Sequence, residues 1–256
     1  MTVGPHDRPD GRAFDAVRPV EIEPGFLHQA EGSASIRLGR TWVVCAATVE
    51  DRQPPFLKGT SQGWVTAEYG MLPRSVGVRL PRGKPSGRAM EIQRLIGRSL
   101  RSVVKLDRLP QHTITIDCDV IEADGSTRAA AITGAFVALC EACRWMVADG
   151  RILSVPVRSQ VAAISVGLVR GEPRCDLSYA EDSIASIDVN LVMTSDGRMV
   201  GLHAGVESEP IAEEALETLL GLAKKGLPAL FSAQRRALGL PLAGPFDAAL
   251  LKPRKP

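Results

Sequence analysis

The chain has 256 residues, 45% of them hydrophobic and 23% charged, with a formal net charge of +2. That is the balance of a globular protein with a full core, and no run approaches the roughly 18 apolar residues that a membrane span needs. The small net charge hides an asymmetry: residues 74–108 carry a balance of +8, which leaves −6 for the rest.

Residues 1–19 read as an N-terminal arm. The polar start predicts no signal peptide, and with it a cytoplasmic location. Val20–Ile22 and Ser35–Leu38 read as strands. A Gly39-Arg40 turn leads into a third strand over Thr41–Val49, whose β-branched and aromatic run suits a buried hairpin. Gly63–Tyr69 adds a fourth. The segment from Arg74 to Gly87 is rich in proline and glycine and reads as a functional loop. Arg88–Leu106 then has helical period, with Ile92, Leu95, Ile96, Leu100 and Val103 on one face. Arg94, Arg98, Arg101 and Lys105 lie opposite, and RNA, a neighbouring subunit and water all remain open as what that stripe meets.

Thr113–Ile121 alternates as a half-buried strand and runs through a turn at Asp124-Gly125-Ser126-Thr127-Arg128 into a long Ala-rich helix. Strands follow near Val161–Val169, Arg174–Leu177, Ile187–Thr194 and Arg198–Leu202. A helical region over Glu213–Leu238 carries an expected break near Gly226, and a tail occupies 240–256, frayed from Lys252. Strands interleaved with a few long helices predict α+β or α/β layering in one domain spanning 1–256. The five cysteines are scattered and odd in number, which suits buried free thiols. Cys140 and Cys143 form a Cys-x-x-Cys, but inside the predicted helix and without a zinc-spaced partner. The four histidines are too dispersed for a metal cluster.

Several contexts point to an anion. Ser126, Thr127 and Arg128 stand at a helix N-terminus, where free N–H groups and the helix dipole favour negative charge. The plain alternative is an ordinary N-cap in which Ser126 or Thr127 bonds the first turn and Arg128 is solvated. Ser86-Gly87-Arg88 sets a second guanidinium at a helix start, so Arg88 and Arg128 can fork one tetrahedral anion. Glu181-Asp182 and Asp188, with Asp176 as a further candidate, would repel that anion unless they hold a divalent metal or protonate a leaving group. The +8 tract is the footprint of a polyanion or of an acidic partner. Neither a P-loop nor a dinucleotide fingerprint is present.

Arg8-Pro9-Asp10-Gly11-Arg12 with Arg18-Pro19, Gly63-Trp64-Val65-Thr66-Ala67-Glu68-Tyr69 followed by Met71-Leu72-Pro73-Arg74, the run from Gly87 to Arg98, Asp117-Cys118-Asp119-Val120, and Asp182 with Asp188 resemble, in order and over about residues 8–239, bacterial ribonuclease PH. That resemblance implies a phosphorolytic 3′ to 5′ exoribonuclease acting on tRNA precursors, with inorganic phosphate as nucleophile and nucleoside diphosphates as product. It implies phosphate contacts at Arg88, Ser126, Thr127 and Arg128, catalytic aspartates at Asp182 and Asp188 that also hold Mg²⁺, and RNA-gripping loop arginines at Arg74, Arg79 and Arg82. The implied fold is the ribosomal-protein-S5-domain-2-like α+β unit, assembled as a homo-oligomer, a hexameric ring of three dimers.

This chain departs from the family in three places. The loop from Arg74 to Arg88 is shorter. Gly125-Ser126-Thr127-Arg128-Ala129-Ala130-Ala131 stands where the family has Gly-Gly-Thr-Arg-Thr-Ala-Ser, and His203-Ala204-Gly205 stands for Gln-Gly-Thr. Two alternatives accompany the nuclease reading: an RNA-binding ring subunit with weak or no catalysis, and an enzyme acting on a small phosphorylated substrate. The second leaves the basic tract without a purpose.

Overall fold

The alternating and β-branched segments form nine strands among the residues that the computed structural model describes, which are 8–83, 85–206 and 210–253. His6, Lys84 and the last three residues of the predicted tail lie outside them. The first sheet contains β1 (Val20–Pro24), β2 (Gly32–Leu38), β3 (Thr41–Glu50), β4 (Trp64–Met71) and β5 (Thr113–Glu122) in the order β1-β2-β3-β5-β4. Its neighbours are antiparallel except β4 and β5, which run parallel and are joined by the crossover helix α1 (Gly87–Val103). The second sheet is antiparallel, with β7 (Glu172–Cys175), β6 (Val161–Val169), β8 (Ala185–Thr194) and β9 (Met199–Val206) in that order.

Helix α2 (Thr127–Ala148) packs against β2 and β3 on one side and β6 on the other. Position between two layers explains why it has no polar face: it is buried nearly all round. Its length and mean hydropathy meet the criteria for a membrane span, contrary to the reading that nothing approaches one, but 83% of the qualifying window is buried inside the protein. Ile36 and Ile116 of the first sheet, Phe136 of α2 and Ile164 of the second belong to one continuous core. The α+β layering expected from the sequence is therefore the observed one. All five cysteines are buried and free, and burial pushes the Cys143 thiol up to about 12.

Three boundaries differ from expectation for local reasons. Helix α1 ends at Val103 rather than Leu106, because Val104 turns extended and bridges Val157. Helix α4 (Glu213–Leu238) runs unbroken past Gly226 and Pro228. Gly226 lies flat on the second sheet, where a Cβ would stand 2.4 Å from Ile164 Cδ1, and Pro228 faces outward, so packing outweighs the bond that proline omits. The tail is not frayed where it is described: Arg235 donates to the carbonyls of Pro241 and Gly244, Phe246 meets Phe136, and the Lys252 carbonyl accepts from Arg144.

The segment read as an arm is pinned from Arg8 onward. Arg8 is buried, with Nε and Nη2 each 2.8 Å from the two oxygens of Glu181. Arg18 grips Asp176 through Nε at 2.9 Å and Nη2 at 2.7 Å, and Arg12 reaches the same carboxylate. Glu181 and Asp176 are thus internal counter-ions, which corrects their reading as candidate site carboxylates.

Burial works to raise the Glu181 carboxyl, but hydrogen bonds from Arg8 and Ser178 and the Arg8 charge outweigh it and bring it to about 2. Because the folded value lies below the unfolded one, this contribution is present above about pH 4.5 and is lost as pH falls toward 2. Glu181→Gln leaves Arg8 and Arg174 without their shared counter-charge. It is expected to lower stability by about 3–5 kcal/mol, read as a shift of the urea midpoint.

Candidate active site

The turn from β5 into α2 makes the floor of a cleft of about 520 Å³. Gly125 is left-handed at φ 74° and approaches the segment after β7 so closely that a Cβ would lie 2.4 Å from the Leu177 carbonyl. Glycine is required there on both counts. Ser126 follows, also left-handed at φ 54°, a strained conformation for a residue with a side chain. Its hydroxyl turns inward to Ser165 Oγ at 2.6 Å, Asp176 Oδ1 at 3.0 Å and the Leu177 carbonyl at 3.1 Å.

The ordinary N-cap is therefore not formed. No side chain caps α2, so its first N–H groups stay free beside the cleft. Ser126 lines the cleft, but what it offers an anion is backbone, since its hydroxyl is engaged inside. Thr127 Oγ1 accepts a hydrogen bond from the Tyr69 hydroxyl at 3.0 Å, which leaves the threonine proton to donate elsewhere.

Arg128, from the first turn of α2, and Arg88, from the first turn of α1, line the same cleft. The start of α1 is capped by Ser86, whose Oγ accepts from the Ala89 amide at 3.2 Å, so at this helix Arg88 supplies the charge. Among the described residues neither arginine has a carboxylate ion-pair partner at hydrogen-bonding range. Both are near enough to Tyr69 and to Asp182 to act on their protonation.

Asp182 ends the short helix α3 (Tyr179–Asp182), whose start is fixed by reciprocal Ser178 and Glu181 bonds. Burial, and then the charge of Asp188, push the Asp182 carboxyl upward, while Arg88 and Arg128 pull it down. Asp188 stands on β8 opposite Gly167 of β6 and Gly205 of β9. Asn190, two residues on and therefore on the same face, donates to Asp188 Oδ2 at 3.2 Å. A Cβ at Gly205 would lie 2.4 Å from Asp188 Oδ1. In this chain the Asp188 carboxylate therefore occupies the space that a side chain at position 205, such as the family's threonine, would take.

Gly205→Ala is accordingly expected to keep the fold and displace Asp188. Activity at the cleft should fall about 10²-fold, the scale of a misplaced reacting group, with unchanged thermal unfolding. Steady-state rates beside a melting curve check it.

The fold brings Arg88, Ser126, Thr127, Arg128, Asp182 and Asp188 together. Arg74, Arg79 and Arg82 do not line the cleft. They are exposed on the adjoining loop, whose Val76 and Leu80 form part of its wall. Sequence reasoning missed Tyr69, Ser165, Tyr179 and Asn190. Only Asn190 left a signal, its two-residue spacing from Asp188 along a strand. Asp182 and Asp188 are the cleft's carboxylates, and among the described residues no group of three or more His, Cys, Asp or Glu is placed to hold a metal.

Two family models match the chain: the 3′ exoribonuclease family, domain 1, over residues 16–144, and domain 2 of that family over residues 159–226. Among solved structures, the fold is similar to a chain of the Archaeoglobus fulgidus exosome with RNA bound to the active site. The TM-score is 0.74 at 24% identity, covering 85% of this chain and 89% of that one. Rice (Oryza sativa) Rrp46 matches with a TM-score of 0.71 at 22% identity, covering 89% and 98%. An archaeal exosome core chain matches with a TM-score of 0.72 at 22% identity, covering 90% and 91%. At such identities the structural likeness is one of fold alone, whereas the two sequence models between them take in both sheets. The chain belongs to the 3′ exoribonuclease family that includes ribonuclease PH.

Proposed function

We propose that this protein is a phosphate-dependent 3′ to 5′ exoribonuclease that trims the 3′ ends of tRNA precursors, as bacterial ribonuclease PH does. The observation that supports it most is the convergence of Arg88, Arg128, an uncapped helix N-terminus, Asp182 and Asp188 on one cleft. Phosphoryl transfer needs positioning and charge neutralisation more than covalent help. Inorganic phosphate is held by the two guanidinium groups, the free N–H groups of α2 and the Thr127 hydroxyl. Its oxygen attacks the phosphorus of the last phosphodiester. The bond to the preceding 3′ oxygen breaks, that oxygen takes a proton from Asp182, and a nucleoside 5′-diphosphate leaves.

The Asp182 carboxyl suits a proton donor because burial and Asp188 both favour its neutral form. Mg²⁺ fits the same pair. Magnesium commonly takes one or two carboxylates with waters and substrate phosphates, so Asp188 would hold it directly and Asp182 would join as a ligand once it has given up its proton. When bound there it would neutralise charge on the reacting phosphates. The exposed loop arginines Arg74, Arg79 and Arg82 hold the single strand by its backbone.

The second reading, an RNA-binding subunit of a larger assembly with little catalysis, draws support from the exosome chains that share the fold. Retention of both arginines and both aspartates in one cleft favours the catalytic reading. Incubation with a 3′-extended tRNA and Mg²⁺, with and without phosphate, separates them. The nuclease shortens the RNA only when phosphate is present. A non-catalytic subunit binds the RNA and leaves its length unchanged.

A further inference from the structure

The cations of α1 beyond its first turn have no part in the chemistry above. Arg94, Arg98 and Lys105 are exposed along the helix and just past its end. Arg101 is half-buried, its guanidinium 4.2 Å over the Trp64 ring and its Nη1 2.7 Å from the Val65 carbonyl. Burial and the neighbouring Arg98 charge both lower the Arg101 pKa, so the two cations are crowded.

No carboxylate relieves them among the described residues. Elsewhere on the surface Arg40, Arg52, Arg144, Arg151 and Arg198 each hold a carboxylate. The α1 stripe lacks what those sites have, and its cations follow one another along a single helix face, as a surface that meets an external polyanion requires. Its nearest acids are occupied or peripheral: Glu68 accepts from Gln93, Glu91 lies toward His203, and Asp107 is one solvent-exposed charge beyond the helix.

An aromatic group completes the surface. The Phe56 ring is 67% exposed, and its centroid lies 5.1 Å from Trp64 in an edge-to-face arrangement. Arg101 clamps the other partner of that pair, so Phe56 is held beside a fixed indole. An exposed, pre-positioned aromatic ring next to unpaired arginines is the combination that binds unpaired bases and their phosphates. Helix α1 links this surface to the cleft: Arg88 and Arg101 are thirteen residues apart, or about 20 Å along the axis.

We propose that the exposed face of α1, ending at Phe56, is a second RNA-binding surface that holds single-stranded RNA upstream of the 3′ end seated in the cleft. The inference rests on the RNA-processing reading above and adds a track to it. Phosphates run along Arg94, Arg98 and Lys105, and one unpaired base stacks on Phe56. A stacked base and phosphate contacts tolerate any sequence, as a trimming enzyme requires.

The test compares 5′-labelled single-stranded RNAs of about 2 and about 20 nucleotides, since two nucleotides are too short to bridge the roughly 20 Å from Arg88 to Arg101. Fluorescence anisotropy on the full chain is measured for Phe56→Ala, Phe56→Trp and the Arg98→Ala/Lys105→Ala pair, with sedimentation as a check on assembly. Phe56→Ala and the pair are expected to weaken the long RNA about tenfold and leave the short one unchanged, while Phe56→Trp restores binding. The salt dependence of the pair should fall by about 1.4 in log–log slope, about 0.7 for each lost phosphate contact. Equal weakening at both lengths, or no weakening, overturns the proposal. So does a change of oligomeric state with RNA affinity intact, which assigns the face to a protein partner. Binding needs no turnover, so failure of the wild type to release diphosphates would refute the nuclease reading without deciding this one.

Discussion

Arg128→Ala is expected to raise the phosphate concentration needed for half-maximal rate about 10- to 150-fold, corresponding to one charge-assisted hydrogen-bonded contact of about 1.5–3 kcal/mol. RNA affinity should stay near the wild-type value. The reason is the division of labour between the two sets of arginines. Arg128 lines the cleft beside the uncapped start of α2, whereas Arg79 is exposed on the neighbouring loop and does not line it. Arg79→Ala should do the reverse, weakening RNA and its salt dependence while leaving the phosphate requirement alone. No described carboxylate pairs with Arg128, so its removal leaves no stranded buried charge and unfolding should be unaffected. Initial rates against phosphate and RNA for both variants decide it. Equal shifts in both parameters from both variants would mean that phosphate and RNA are not held by separate arginines.

Asp182→Asn is expected to cost about 10²- to 10⁴-fold in kcat, the usual worth of a positioned proton donor. Its pH profile is more diagnostic than its size. The acid form of Asp182 is the competent one, so the wild-type rate is full below the Asp182 pKa and declines as pH rises through it. Burial and Asp188 raise that pKa, which extends the active range upward. The amide cannot titrate, and the residual activity of Asp182→Asn should lose this declining limb. Asp188→Asn removes one of the two raising influences, so in that variant the limb should move to lower pH. Rate profiles together with carboxyl carbon NMR of Asp182 check both signs. An unchanged limb in Asp182→Asn would assign the proton to another group.

Much of this site was legible because its parts are local. Gly125 through Arg128 are consecutive, and the strand, turn and Ala-rich helix around them carry clear periodicity, so the turn that lines the cleft could be read from one segment. Arg88 was placed at the start of α1 by the same periodicity, although there Ser86 caps the helix. The errors came from pairing across long separations. Glu181 precedes Asp182, yet the two diverge because Glu181 turns inward to Arg8, 173 residues away in sequence. Asp176 was drawn into the core by Arg18, 158 residues away. Tyr69 and Ser165 were missed for the same reason, since their partners Thr127 and Ser126 lie on other elements. No pattern within one strand reveals such a pair. Gly226 was misread as a break because a glycine that packs flat against a sheet looks, in sequence, like one that ends a helix.

The central claim is that phosphate, not water, attacks the terminal phosphodiester. Supplying the enzyme with RNA, Mg²⁺ and ¹⁸O-labelled inorganic phosphate in ordinary water, and weighing the released nucleotides by mass spectrometry, tests it directly. The predicted result is nucleoside 5′-diphosphates with the label in the β-phosphate and the bridging oxygen that joins it to the α-phosphorus. Unlabelled nucleoside monophosphates, formed at the same rate whether or not phosphate is present, would contradict it.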